Sequence, residues 1–108
     1  MSQTNAIILR FDAKKAREFE KMFEKEVLPL WRKFRAEGKF LAASLTPVKD
    51  GSETRRGVQD YILYVETPSM AEHTEFDSNP DFTKFLPKAQ AMQVGGPLVF
   101  LGETMFQV

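Results

Sequence analysis

The chain has 108 residues, no cysteine, and 15 basic residues balancing 15 acidic ones. That excludes a disulfide scaffold, a thiolate metal site and a cysteine nucleophile, and a formal net charge of zero gives no bulk field to draw in nucleic acid or anionic lipid. A hydrophobic share of 43% and a charged share of 28% are those of an ordinary globular chain, and the length suits one domain over residues 1–108.

Met1 to Asn5 lacks the basic start and apolar run of a signal peptide. No run of about 18 apolar residues occurs that would span a membrane. The expectation is a cytoplasmic protein without nucleic-acid or membrane partners.

Ala6 to Phe11 is short, apolar and partly β-branched, and stops at Asp12; it reads as a first strand. Asp12 suits the cap of a following helix, its carboxylate sitting at the positive end of the helix dipole. Phe19, Phe23, Val27, Leu30 and Phe34 then step by three or four, with Lys, Arg and Glu between them. This predicts one long amphipathic helix over residues 13–37. Pro29 has no amide proton and crowds the carbonyl of Lys25, so a kink is expected there, and Gly38 ends the run as a cap.

Phe40 to Val48 reads as a second strand, with Ala42, Ala43 and Pro47 weakening it. A polar loop holding Asp50-Gly51 leads to a third strand over Val58 to Glu66, so the two form a hairpin. Ser69-Met70-Ala71-Glu72 fits a capping box and opens a short helix to about Phe76. Asn79-Pro80 restarts helix, with Phe82, Phe85, Leu86, Ala89 and Met92 on its buried face and Pro87 as a bend. Gly95-Gly96-Pro97 breaks it, and a fourth strand begins at Leu98 and extends as far as Gln107.

The order strand, helix, strand, strand, helix, strand closes most economically as an α+β, ferredoxin-like βαββαβ fold. It gives a four-stranded antiparallel sheet with both helices on one face. The uncovered face should then alternate with polar residues. Instead Ile7-Ile8-Leu9, Tyr61 to Val65 and Leu98 to Leu101 are apolar at both parities. A bare apolar sheet face is unusual on a soluble monomer, and a second copy packed on it is the commonest remedy. The predicted partner is therefore the chain itself, a homodimer through the sheet face. The plain alternative is a thick core with strand ends covered by loops.

The residues also carry a resemblance. Tyr64-Val65-Glu66-Thr67-Pro68-Ser69, then Phe76-Asp77-Ser78-Asn79-Pro80-Asp81-Phe82 and Phe85, resemble the dimeric α+β barrel superfamily in its antibiotic-biosynthesis-monooxygenase and NIPSNAP-like branches. Leu28-Pro29-Leu30-Trp31 and Gly38 before the second strand are similar to the NIPSNAP-like pattern. The resemblance implies a dimeric barrel with a pocket between helices and sheet in each protomer. It also implies a range of activities: cofactor-independent oxygenation of polycyclic aromatics, haem degradation, isomerisation, decarboxylation, or none. A histidine of the monooxygenase branch falls near Phe76. The haem-degrading branch places a tryptophan near there, a histidine further along near Leu86, and an asparagine in strand 1 where Ile7 or Ile8 stands here. These departures argue against haem held by a histidine, and no cofactor is expected.

Several side chains are candidates for chemistry. His73, the only histidine, is the one group titrating near neutrality and sits by the pocket rim as a base or donor; the plain alternative is a half-exposed surface residue. Arg10 lies mid-strand and would pin an anionic substrate group, or else pair structurally with Glu66 or Asp60. Tyr61 and Tyr64 have opposite parity, so one brings a phenol toward the helices. That phenol polarises a carbonyl or simply packs. Trp31, Phe76, Phe82 and Phe85 would line an apolar or aromatic-binding cavity, though an aromatic stripe at helical spacing is ordinarily core.

One histidine without cysteine makes a transition-metal site poor. Lys49, Arg55 and Arg56 read as a solvated hairpin tip, and Asp77 with Asp81 suits capping.

Three functions follow. The first is a cofactor-independent enzyme, monooxygenase- or isomerase-like, on an apolar or aromatic substrate, with His73, Arg10 or Tyr64 as the catalytic group. The second is a non-catalytic ligand-binding or stress-associated homodimer, and the third an assembly module with a filled interior.

Overall fold

A computed structural model describes residues 2–108. Strand β1 runs Gln3–Asp12 and lies inside a four-stranded sheet, between β3 (Val58–Thr67) and β4 (Leu98–Glu103), with β2 (Ala42–Pro47) on the far side of β3. All neighbours are antiparallel. The order β2-β3-β1-β4 is the expected ferredoxin-like one, with β2 and β3 as the predicted hairpin. β2 is shorter than expected, losing Phe40 and Leu41 at its start and Val48 at its end. β4 ends at Glu103, short of Gln107.

The single long helix is in fact two. A 3-10 turn at Ala13–Lys15, capped by the Asp12 carboxylate on the Lys14 amide at 2.9 Å, leads into α1 (Ala16–Glu26), and α2 (Leu28–Ala36) follows after Val27. Pro29 sits at the start of α2, where its missing amide is tolerated but the ladder from α1 is interrupted. Both pieces keep their apolar face on the sheet through Phe19, Phe23, Val27, Leu30, Trp31 and Phe34. Gly38 closes α2 with φ of 74°, a left-handed conformation that glycine adopts without strain.

The expected caps are present on the second helical stretch. Ser69 and Glu72 form the capping box of α3 (Met70–Asp77), and the Asn79 side chain accepts from the Asp81 amide at the start of α4 (Pro80–Gln90). Pro87 is accommodated inside α4.

The register sorts the sheet into two faces. Asn5, Ile7, Leu9 and Phe11 of β1 stand beside Val65, Leu63, Tyr61 and Gln59 of β3, facing the helices. Thr4, Ala6, Ile8 and Arg10 share the other face with Glu66, Tyr64, Ile62 and Asp60, and with Leu98 and Phe100 of β4. That outer face is more mixed than the apolar runs suggested. At its polar end the Glu66 carboxylate accepts from the Ser2 hydroxyl at 2.6 Å and from the Gln107 amide at 2.9 Å. These bonds hold the C-terminal tail across the sheet. The Ser2 hydroxyl most of all, with Gln107 and Tyr64, keeps the Glu66 carboxyl below its ordinary range against the opposing effect of burial.

Candidate functional site

The helix-facing layer is not filled uniformly. At the Phe11 end it is close-packed: Phe19 stacks on Phe11 at 3.9 Å between centroids, and Tyr61 meets both rings edge-on. At the Asn5 end it encloses a cavity of about 160 Å³. Its floor is Asn5, Ile7, Leu9, Leu63, Val65 and Val99 of the sheet. Its roof is aromatic and aliphatic: Phe19, Phe23 and Val27 with Trp31, then Phe76, Phe82 and Phe85. Leu86, Gln90, Pro97 and Val99 are exposed lining residues of α4 and of the segment entering β4, which puts the entrance there.

Trp31, Phe76, Phe82 and Phe85 line this cavity together. A cavity of about 160 Å³ counts against a filled interior, yet lies below the roughly 300–1,000 Å³ of an ordinary ligand pocket. A cavity of about 150 Å³ lined by apolar side chains takes up a benzene-sized guest. Polycyclic aromatics exceed it. Haem, the group implied by the haem-degrading branch, does not fit these residues either: the volume holds one ring, and the cavity's histidine already has a carboxylate on Nε2.

His73 is part of the wall. Its position on α3 sets its Nε2 3.0 Å from Asp77 Oδ2, one helical turn on. The side chain is about four-fifths buried, which is not the half-exposed surface histidine of the plain alternative. With Nε2 turned to a carboxylate, Nδ1 is the nitrogen left for a ligand.

The other polar candidates lie elsewhere. Arg10 is on the outer face, and its guanidinium is 3.9 Å from Glu53 of the hairpin loop, not paired with Glu66 or Asp60 as expected. Tyr64 is also on the outer face, its hydroxyl 3.4 Å from Glu66. Neither borders the cavity. Tyr61 is the tyrosine that faces the helices, but it is fully buried in the packed end and donates its hydroxyl to Glu20 at 2.5 Å. Burial first, then the Glu20 carboxylate beside it, pushes this phenol far above its ordinary range. It is a neutral structural hydrogen bond and does not border the cavity.

One residue escaped the sequence reading. Asn5 is buried, 1% exposed, and lines the cavity floor. Its Nδ2 donates to the Val65 carbonyl at 3.1 Å, while among the described residues no donor reaches its Oδ1. The signal was available: Asn5 shares the parity of Ile7, Leu9 and Phe11, so a polar residue was being placed on the core face. Reading the strand as starting at Ala6 hid it. Among the described residues, no three His, Cys, Asp or Glu side chains come together as a metal site.

No protein-family model and no curated protein sequence matches the chain. Solved structures do. A Caulobacter crescentus protein, described as a candidate antibiotic biosynthesis monooxygenase, superposes with a TM-score of 0.74 at 24% identity. The alignment covers 97% of this chain and 91% of that one. A Mycobacterium tuberculosis protein reaches 0.78 at 12% identity, covering 99% and 98%. A Nitrosomonas europaea protein, also described as a candidate antibiotic biosynthesis monooxygenase, reaches 0.77 at 6% identity, covering 97% and 91%.

The chain has the ferredoxin-like fold of these proteins. At such identities the likeness establishes the fold alone, as the resemblance in the sequence implied; none of the three bears on its NIPSNAP-like part.

Proposed function

We propose that the chain is a cofactor-independent enzyme of monooxygenase or isomerase type, acting on a small apolar or aromatic substrate within the helix–sheet cavity. The observation that carries this reading is His73 in the wall of a largely apolar cavity, its Nε2 3.0 Å from the half-exposed carboxylate of Asp77. In such a wall the substrate loses water, and a single base has its largest effect. His73 takes a proton from an activated substrate O–H or C–H. The Asp77 carboxylate orients the ring and stabilises the imidazolium that forms. The electron-rich anion left behind then adds dioxygen, the substrate itself supplying the electrons, so that one oxygen atom stays on the ring as a carbonyl and the other leaves as water with the ring's hydrogens; in the isomerase alternative the anion takes the proton back at another atom. The names of the structural relatives favour the first outcome.

The test is oxygen uptake with hydroquinones and catechols in chelator-treated buffer, wild type against His73→Ala. A fall in kcat of about a hundredfold or more is expected. Unchanged turnover removes His73 from the mechanism, and no uptake or isomerisation over the panel favours a non-catalytic ligand-binding protein.

We also infer that the working form is a homodimer through the outer sheet face. The chain exposes 7127 Å², whereas a compact monomer of its mass exposes about 6100 Å². The excess is close to the roughly 800 Å² each partner contributes to a standard interface. Ile62, Leu98 and Phe100 stand exposed on that face, and Met105 and Phe106 follow in the tail beside it. Native mass spectrometry should give a dimer, and Phe100→Glu should shift it toward monomer. A wild-type monomer at micromolar concentration rejects the assembly.

A further inference from the structure

We propose that Arg10 and Arg55 form a second binding site, outside the helix–sheet cavity, for a phosphate group, free or carried as a monoester by a small molecule.

Arg10 is rooted in β1, on the outer face of the sheet, and its side chain is about three-quarters buried. A cation withdrawn from water to that degree ordinarily holds an acceptor at hydrogen-bond length. Asp60, its neighbour across the ladder, forms no ion pair with it. Among the described residues its one ionic partner is Glu53 at 3.9 Å, beyond hydrogen-bond length. The Glu53 side chain is 81% exposed, so this partner holds the guanidinium only weakly and is easily displaced. A fork of donors thus stands on a rigid strand with no carboxylate at bonding distance.

Arg10 borders a concavity of about 310 Å³, whose other walls are Glu53, Thr54 and Arg55 of the hairpin loop. That volume is at the lower end of the range of ligand pockets. The loop brings Arg55 there through its own bonds. Gly57 leaves the loop with φ of 79° and gives its carbonyl to the Ala13 amide at 2.9 Å, just past the end of β1. The Val58 amide closes on the Arg55 carbonyl at 3.2 Å. The Arg55 guanidinium pairs with no acid among the described residues. Thr54 adds a hydroxyl whose bond to the Gly51 carbonyl is a long 3.3 Å. Two guanidinium forks and a hydroxyl therefore meet a single glutamate, a local positive excess in a chain whose net charge is zero.

Forked donors in excess recognise an oxyanion. A carboxylate presents two oxygens in one plane and is satisfied by one fork. A phosphate monoester presents three oxygens around a tetrahedron, so it engages both forks and the hydroxyl, and its nearly double charge outcompetes Glu53. The site lies past the end of the β1–β4 ladder at Ile8–Leu98, which leaves it at the rim of the apolar outer face.

The experiment is a titration of the ¹⁵N-labelled full chain, read at the arginine Nε–H resonances, with sodium phosphate, glycerol phosphate and acetate in turn. Ionic strength is fixed, at about pH 7.5, where phosphate is mostly a dianion. Phosphate should shift Arg10 and Arg55 together and saturably, with a Kd of about a millimolar or less, and acetate should bind at least about tenfold more weakly. Arg55→Gln, at an exposed loop position, should weaken phosphate binding by about tenfold or more. Arg10→Lys keeps the charge without the fork and should cost a similar factor. Glu53→Gln removes the competing carboxylate and should tighten binding by about threefold. Shifts that grow without saturating, acetate bound as well as phosphate, an affinity indifferent to Arg55→Gln, or weaker binding in Glu53→Gln overturns the site. With the site standing, an ester bound as tightly as the free ion identifies a phosphorylated small molecule as the ligand, and an ester refused identifies inorganic phosphate.

Discussion

The two ends of the helix–sheet layer bury a polar group in opposite ways. At the packed end the Tyr61 hydroxyl is enclosed by Phe11 and Phe19 but reaches the Glu20 carboxylate, so nothing is owed to solvent. At the open end Asn5 is buried just as deeply, with one of its two amide groups unmatched and a cavity beside it. A buried polar side chain whose needs are met by its own fold is a structural element. One whose needs are left unmet costs the fold the desolvation of that group.

The largest test of this contrast is mechanical. Phe11→Ala empties a site with no adjoining space and should cost about 3–5 kcal/mol of unfolding free energy in urea. Phe82→Ala makes the same truncation beside an existing cavity, at a half-buried ring, and should cost clearly less. Equal losses would mean that the two ends are packed alike. Next in size, Tyr61→Phe keeps the ring and deletes the bond to Glu20, at an expected cost of about 1.5–3 kcal/mol. Because the phenol is held neutral, its contribution is complete below the ordinary phenol pKa of about 10 and declines as pH rises beyond that. Tyr61→Phe should flatten this alkaline decline; an identical decline in the variant would mean that Tyr61 is not its source.

Much of the fold was legible because its signals are local. The capping box at Ser69–Glu72, the Asn79-Pro80 restart and the glycine at 38 are each decided within a few residues, and each stands where expected. The break at Val27 reads from sequence only as a kink, because Pro29 announces lost hydrogen bonding but not how far the axis turns. Facing was the hidden quantity. Ile7-Ile8-Leu9 is apolar at every step, so parity cannot be read from it, and the polar residue that would have settled it, Asn5, lay one position before the assumed start. Arg10 shows the second limit: its partner, Glu53, sits in a loop whose path no periodicity describes.

Glu66 offers the finest version of the comparison, since it is a buried charge whose partners are all supplied by the chain. It accepts from Ser2, Gln107 and Tyr64, residues from both termini and from its own strand. Those bonds favour the carboxylate, so its pKa in the folded protein lies below that of the unfolded chain. The stabilisation is therefore fully present above the ordinary glutamate value of about 4.3, and is lost as pH falls through the lower, folded value. Glu66→Gln keeps the shape and some of the bonds but cannot titrate. It should lower stability at pH 7 by about 1 kcal/mol and remove part of the acid-induced loss between pH 7 and 3, measured by thermal unfolding across that range. Its amide must also present a donor where Glu66 offered only acceptors, so the Gln107 contact should weaken and the tail lift from the sheet. Hydrogen exchange at Met105 to Val108 would report that. Unchanged exchange together with an unchanged acid profile would mean that the tail is held by the Thr104 backbone bond to Ser2 instead. Glu66 would then be a buried charge whose partners, though supplied, stabilise nothing.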